Sequence, residues 1–208
     1  MRVLVVDDHA IVREGMKLVL AEEPNLVVGE ASTAREALRR VRAEHWDVVV
    51  LDISLPDRSG LDILGEIKAL DPALRVLVLT VFGEEIYAVR VLKAGADGFL
   101  TKESVPEELL KAVRKVASGH RYLTRALAEK LAWRFSVGND KDGHEALSDR
   151  ELQVLCMLAS GRRLSDVATE LGLSIKTVST YRARILTKMG LDTTAELIQY
   201  AIRNGLVQ

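Results

Sequence analysis

The chain predicts an α/β unit, a doubly wound sheet of five parallel strands with helices on both faces, followed by a small all-α unit of four helices. Three observations carry this reading. Short β-branched runs alternate with helix-period segments five times before Arg121, and crossovers between parallel strands must traverse a face of the sheet. Beyond Leu147 no strand pattern occurs, and capped helices follow one another across short turns. The third is chemical: polar residues sit where the first, third, fourth and fifth strands end.

Val3-Leu4-Val5-Val6 is the first strand and delivers Asp7 and Asp8. A helix from Ala10 to about Glu22 follows, its inward stripe read as Ile11, Gly15, Leu18 and Val19, and it stops before Pro24. Leu26-Val27-Val28 is the second strand. Residues 34–44 form the second helix, with Ala37, Leu38 and Val41 inward, and Trp46 is expected to anchor it to the sheet. Val48-Val49-Val50-Leu51-Asp52 reads as a strand buried on both faces and ending in a carboxylate, and Pro56 and Gly60 then mark a loop. A helix over 61–70, a strand over 74–80 ending in Thr80, a helix over 84–93 and a brief strand at Gly98-Phe99-Leu100 complete the alternation, with Lys102 just beyond. Ser104 and Glu107 are spaced as a capping box for a helix over 105–118, with Pro106 tolerated in its first turn.

Composition excludes more than it assigns. A formal net charge of -1 over 208 residues points to neither a polyanion nor a membrane surface. Residues 1–121 carry 17 basic and 20 acidic side chains and residues 144–208 carry 8 and 7, so a nucleic-acid role must rest on a local cluster. The lone cysteine, Cys156, rules out a disulfide framework and sits in an apolar helical run as a structural thiol. Met1 leads straight into a strand and no apolar run approaches a membrane span, so a cytoplasmic protein with no membrane partner is expected.

In an open parallel sheet, ligands bind at the carboxyl ends of the strands where the strand order reverses. Asp7, Asp8 and Asp52 gathered there repel one another unless a cation joins them. Oxygen-only ligands with no His or Cys favour a hard ion, and Mg²⁺ suits few carboxylates because it completes its octahedron with water and phosphate oxygens; Mn²⁺ is the alternative. Lys102 can grip a phosphoryl oxygen, Thr80 offers a hydroxyl, and an Asp52 oxygen stands ready as acceptor. His9, beside the pocket, reads as a helix-start residue, and Asp57, Arg58 and Ser59 as loop residues.

The acidic pair Asp7-Asp8, the LDISLPDRSG segment, the LTV at Thr80 and the GADGFLTK ending at Lys102 resemble the receiver domain of bacterial two-component response regulators over residues 1–121. The resemblance implies the flavodoxin-like fold and Asp52 as phosphoacceptor. It further implies Mg²⁺ held by Asp8, Asp52 and the Ser54 carbonyl, with Asp7 reaching the ion through water. Thr80 and Phe99 are implied as a switch pair, the hydroxyl moving toward the phosphoryl group as the ring turns inward. Glu103 departs from the proline many receivers carry there, which puts their usual cis peptide in doubt.

Residues 122–146 read as a partly helical linker. Its helix over 124–135 has Leu123, Leu127, Leu131 and Phe135 on one stripe, and the joint lies at Gly138 to Gly143. Trp133 is expected to pack there. In the back half, Ser148-Asp149-Arg150-Glu151 is a capping box whose helix buries Leu152, Leu155, Cys156, Leu158 and Ala159 and closes at Gly161. A short helix over 164–171 turns inward Val167, Ala168 and Leu171; Gly172-Leu173-Ser174 is a tight turn, and helices follow over 175–189 and 194–204. Two helices joined by a Gly-containing turn suggest a helix-turn-helix. Its second helix packs through Ile175, Val178, Ile185 and Leu186. It offers Lys176, Thr177, Ser179, Thr180, Arg182, Ala183, Arg184 and Lys188, hydroxyls and cations without carboxylates, to phosphates and base edges.

LSDRELQVLCMLASG, VATELGLSIKTVSTYRARILTKMG and AELIQYAIRNGLV resemble the LuxR/NarL-type DNA-binding domain, taken as 147–208, and Tyr181-Arg182-Ala183-Arg184 is similar to its BvgA- and GacA-like members. That resemblance implies double-stranded DNA as partner, with Ser179, Thr180 and Ala183 facing bases and Lys176, Arg182, Arg184 and Lys188 nearer the backbone. The chain is therefore expected to be a transcription regulator rather than an enzyme. A sensor histidine kinase or phosphotransfer protein would phosphorylate Asp52 and so control DNA binding. A homodimer through Leu197, Ile198, Ala201 and Ile202 is expected in the active state. An aspartyl-phosphate phosphatase is the rival, but such enzymes place a second Asp where Ser54 stands. A DNA-binding protein whose receiver serves only as a dimerisation module is the other, against which the intact Asp8, Asp52, Thr80 and Lys102 set counts.

Overall fold

A computed structural model of the chain describes residues 1–80, 84–137 and 143–207 (84–86, 130, 133–137 and 145 by backbone alone). The expected joint at 138–142 and the side chains of Trp133 and Phe135 lie outside the described residues. The backbone divides into two compact units, Met1–Leu131 and Ala132–Gln208.

The first unit alternates β1 (Arg2–Val6), α1 (Ala10–Leu20), β2 (Val27–Ala31), α2 (Ala34–Ala43), β3 (Val48–Asp52), α3 (Gly60–Leu70), β4 (Arg75–Thr80), α4 (Glu84–Lys93), β5 (Gly98–Thr101) and α5 (Val105–Ala117). All pairings are parallel, in the order β2-β1-β3-β4-β5, so the chain moves outward in opposite directions from β1 and β3. Val3, Val5, Val48, Val50, Leu77 and Leu79 face one side, buried with Met16 and Leu20 of α1 and Leu109, Ala112, Val113 and Val116 of α5. The alternate residues Leu4, Val49, Leu51, Val76 and Val78 are buried on the other side.

The α1 stripe differs from the predicted one. Met16 and Leu20 are buried with Val12 and Val19 partly so, whereas Ile11 is 83 % and Leu18 75 % exposed. The true stripe is one residue, about 100°, around the helix. Apolar residues lie nearly all round α1, so periodicity could not choose. Flanking polar contacts fix the rotation: Arg13 donates to the Asp7 carbonyl (2.8 Å) and to Glu30 (3.1 Å), and Lys17 pairs with Glu30 (2.7 Å).

Trp46 does anchor α2. Its indole Nε1 donates to the Arg40 carbonyl (3.2 Å), and the ring covers Gly29 of β2 so closely that a Cβ there would lie 2.1 Å from it. Asp57, read as an ordinary loop residue, reaches back to α2: its carboxylate accepts from the amides of Ala34 (2.9 Å) and Arg35 (3.0 Å), beside Thr33, which accepts from Glu36 (3.1 Å). This is an N-cap delivered from another loop. Asp57→Ala is expected to lower stability by about 1 kcal/mol, seen as a lower urea midpoint at unchanged slope.

The capping box expected at Ser104 does not form. A 3-10 turn, Lys102–Ser104, runs straight into α5, so Ser104 is already helical (ψ -4°) and its hydroxyl donates back to the Thr101 carbonyl (2.9 Å). No peptide bond among the described residues is cis, that before Glu103 included. After α5 the chain stays with the sheet: Tyr122 donates from its amide to the Asp97 carbonyl (3.0 Å) and accepts from the Phe99 amide (3.1 Å). Leu127 and Leu131 of α6 (Arg125–Val137) are buried, so the first unit runs ten residues beyond Arg121, to Leu131.

The second unit contains α7 (Asp149–Ala159), α8 (Leu164–Glu170), α9 (Ile175–Met189) and α10 (Thr194–Arg203). Ser148 and Glu151 form the predicted capping box, and Cys156 is buried. Gly172 takes φ 61° between α8 and α9, Ser174 caps α9 by accepting from the Thr177 amide (3.0 Å), and Gly190, in the left-handed region, ends it. Val167, Ala168, Leu171, Val178, Ile185, Leu197 and Ala201 are buried. Two expectations change. Ile175 is 55 % exposed rather than packed inward, because it opens the helix before the core stripe at Val178 and Ile185 begins. On α10, Leu197 and Ala201 belong to this unit's own core, Ile198 is partly buried, and Ile202, 59 % exposed, is the residue of the expected dimer stripe left outside. No helix among the described residues is long and apolar enough to cross a membrane.

Candidate functional site

Strand register assembles the first site. Val6 lies opposite Leu51, Asp52 opposite Leu79, and Thr80 opposite Thr101, so each strand ends on nearly one line. Asp7, Asp52, Thr80 and Lys102 follow from that line within a residue or two. It crosses β1 and β3, the pair where the order reverses. The loop after β3 folds back tightly: the Gly60 amide donates to the Ile53 carbonyl (2.9 Å), and a Cβ on Gly60 would sit 2.1 Å from the Asp52 carbonyl oxygen. Glycine is required there.

Asp7, Asp52 and Thr80 are fully buried. Lys102 reaches in from the 3-10 turn and bridges two carboxylates, its Nζ 2.6 Å from Asp7 Oδ2 and 2.7 Å from Asp52 Oδ2. The other Asp52 oxygen accepts from the Ser54 amide (3.1 Å), and the other Asp7 oxygen from the His9 amide (2.8 Å). Asp8 is partly exposed, and the His9 ring Nδ1 lies 2.7 Å from it. Phe99 is fully buried, its ring already on the inside.

Burial pushes the Asp52 carboxyl up; Lys102 opposes the push, Asp7 adds to it, and the result is about 6. Burial also works against the Lys102 ammonium, but Asp52 and Asp7 outweigh it and hold its pKa above the ordinary lysine value. Lys102 is therefore a fixed cation that cannot be spared. Donor atoms of Asp7, Asp8, His9 and Asp52 lie within 4.8 Å of one another, a grouping dominated by carboxylate oxygen, which fits a hard divalent ion. Reading the sequence missed His9 as a member of that grouping; only its position after Asp8 could have suggested it.

The second site is the surface of α9. Lys176, Thr180, Ala183 and Arg184 are exposed at spacings of four, three and one, and so share a face. Thr177, Ser179, Tyr181 and Arg182 flank it, each partly buried. A concavity of about 280 Å³ is lined by Ser174, Lys176, Thr177, Thr180, Tyr181 and Arg184. Thr180 donates its hydroxyl hydrogen to the Lys176 carbonyl (2.9 Å), so its oxygen faces outward as an acceptor. Lys188, grouped with these from the sequence, is exposed and also pairs with the buried Glu151 (2.6 Å).

Comparison with known proteins gives a family match in each half of the chain. The family model for the response regulator receiver domain matches residues 3–114, and that for bacterial regulatory proteins of the luxR family matches residues 145–201. Response regulator UvrY of Escherichia coli K12 is 36 % identical over 206 residues, 98 % of this chain and 94 % of that protein. Response regulator GacA of Pseudomonas aeruginosa PAO1 is 36 % identical over 208 residues, 99 % of this chain and 97 % of that one. Among solved structures, RcsB of Salmonella enterica serovar Typhimurium, bound to promoter rprA in the presence of the phosphomimetic BeF3-, superposes with TM-score 0.64 at 27 % identity, over 96 % of this chain and 97 % of that one. A LuxR-family two-component response regulator from Aurantimonas sp. SI85-9A1 gives TM-score 0.61 at 36 % identity, over 66 % of this chain and 98 % of that one. With a receiver-domain match over more than half its length, a luxR-family match behind it and full-length relatives at this identity, the chain belongs to the LuxR/NarL-type response regulators.

Proposed function

We propose that Asp52 accepts a phosphoryl group from a sensor histidine kinase or phosphotransfer protein, and that this controls binding of the second unit to double-stranded DNA, as a homodimer, in the cytoplasm. The observation that carries the proposal is Lys102 bridging Asp7 and Asp52 in a pocket with no other lysine or arginine contact to either carboxylate among the described residues. With a pKa of about 6, the Asp52 carboxylate is mostly ionised at neutral pH, and its oxygen attacks the donor's phosphorus as the bond from phosphorus to the donor's histidine nitrogen breaks, the imidazole keeping the electron pair. Lys102 and backbone amides such as that of Ser54 are placed to meet the added oxygens. Asp8, Asp52, the Ser54 carbonyl and Asp7 would hold Mg²⁺ or Mn²⁺, which would supply charge neutralisation when bound. Thr80, at the adjoining strand end, turns its hydroxyl to the phosphoryl group, and the buried Phe99 ring fills the space it leaves. On α9, Ser179, Thr180 and Ala183 face bases, while Lys176, Thr177, Arg182 and Arg184 contact the sugar-phosphate backbone.

The test measures DNA binding of wild type and Asp52→Ala, each with and without acetyl phosphate and Mg²⁺. Only phosphodonor-treated wild type should gain affinity; equal binding in all four samples removes the switch. A separate expectation concerns the contacts. Arg184→Ala should flatten log K against log[salt] by about 0.9, the signature of one lost phosphate contact, and an unchanged slope would take Arg184 off the DNA backbone.

A further inference from the structure

We propose that Arg150 and Glu151, neighbours in the first turn of α7, are positioning residues that lock both helices of the helix-turn-helix. Lys188 is then the strut they require and not a phosphate contact. This deepens the DNA-binding reading above and rests on it.

Two adjacent side chains reach two different helices. The Arg150 guanidinium donates to the Leu171 carbonyl (2.9 Å), immediately before the Gly172 turn that ends α8. Its other nitrogen is oriented by the Gln153 side chain (2.8 Å), itself 1 % exposed. The Glu151 side chain, 5 % exposed, accepts from the Ser148 amide (2.7 Å) and from Lys188 Nζ (2.6 Å), one residue from the end of α9. Burial pushes the Glu151 carboxyl up, but Lys188 and the Ser148 amide outweigh it and hold it below the ordinary glutamate range. One end of the motif is fixed at the turn and the other at the far end of a helix roughly 20 Å long. Val178 and Ile185 hold the middle of α9, and Lys188 ties its last turn to α7.

Helical geometry explains why Lys188 belongs with the struts. Steps of four residues advance each position by about 40° around the axis. The row Lys176, Thr180, Arg184, Lys188 has therefore turned by about 120° when it reaches Lys188, whose side chain stays 43 % exposed while its Nζ reaches Glu151 of α7. Moving that ammonium fully onto a phosphate would leave the buried Glu151 carboxylate without this counter-charge, which is disfavoured.

The test uses the full chain and a duplex recovered by wild type from a randomised pool. Lys188→Met and Glu151→Gln should each weaken binding about tenfold with an unchanged salt slope. The double variant should be no weaker than either alone, and Lys188→Arg should restore binding. A slope reduced by about 0.9 in Lys188→Met, with Glu151→Gln binding as wild type, overturns the proposal. If Glu151→Gln fails to fold, the comparison of Lys188→Met with Lys188→Arg decides it by the same slope. A DNA-free arm is independent: Arg150→Met should shift the amide resonances of residues 171–174, and unmoved resonances would overturn its positioning role. Failure of wild type to recover any duplex would refute DNA binding itself, leaving the DNA-free arm to judge the lock.

Discussion

Asp52→Asn is expected to stabilise the metal-free receiver unit by about 3 kcal/mol at pH 8, while abolishing phosphate uptake. The folded-state pKa of Asp52 stands near 6 against an ordinary 3.8, so between those values the folded chain binds more protons than the unfolded one. The Asp52 contribution to stability is therefore fullest below pH 4, declines as pH rises toward 6, and stays reduced above it. About two pKa units correspond to about 3 kcal/mol. Asparagine resembles the neutral acid and carries no such penalty. Urea denaturation of both proteins in EDTA, across pH 4 to 8, should give curves that meet at the acid end, diverge between pH 4 and 6 and stay apart above it. Parallel curves would mean that burial is not what disturbs Asp52. Millimolar Mg²⁺ should stabilise wild type by preferential binding to the folded form, and Asp52→Asn much less.

Lys102→Ala has the opposite sign. It removes the lysine that bridges two buried carboxylates, and breaking a buried pair in this way costs about 3–5 kcal/mol. The loss should be largest at pH 8 and shrink in acid, because the pair escapes repulsion by taking up a proton. Mg²⁺ should restore part of it. Phosphate uptake from acetyl phosphate should persist at a reduced rate, since Asp52 and the metal-binding carboxylates are intact, yet DNA affinity should no longer respond. A loss under 1 kcal/mol in EDTA would show that Lys102 is not the counter-charge, and a full DNA response would remove it from the switch.

The acidic pocket was legible because it depends on strand register. Buried strands announce themselves as β-branched runs, and their ends fall on one line once they pair in parallel. That is why Asp7, Asp52, Thr80 and Lys102 could be brought together from positions far apart in the chain. Features set by helix rotation or by a side chain crossing between elements were not legible. The α1 stripe was misplaced by one residue because Ile11 and Leu18 are as apolar as Val12 and Leu20, and only Arg13 and Lys17 reaching Glu30 settle the choice. Asp57 capping α2 spans 23 residues, a contact that no local motif encodes. Lys188 looked like its neighbours Arg182 and Arg184, because the carboxylate that engages it lies 37 residues earlier. Ser104 and Glu107 had the right spacing for a cap, but spacing does not reveal that a 3-10 turn precedes the helix.

Tyr122 has a bearing on how the sheet resists joining a foreign chain. An open five-stranded sheet has two margins, and an unpaired margin invites a strand from another molecule. On the β5 side that invitation is withdrawn, since the Phe99 amide and the Asp97 carbonyl are spent on Tyr122. The β2 margin is guarded differently: Trp46 lies across Gly29, and Glu30 stands between Arg13 and Lys17. Losing Tyr122 should therefore expose the more dangerous side, and intermolecular cross-strand association would begin at β5 before it began at β2.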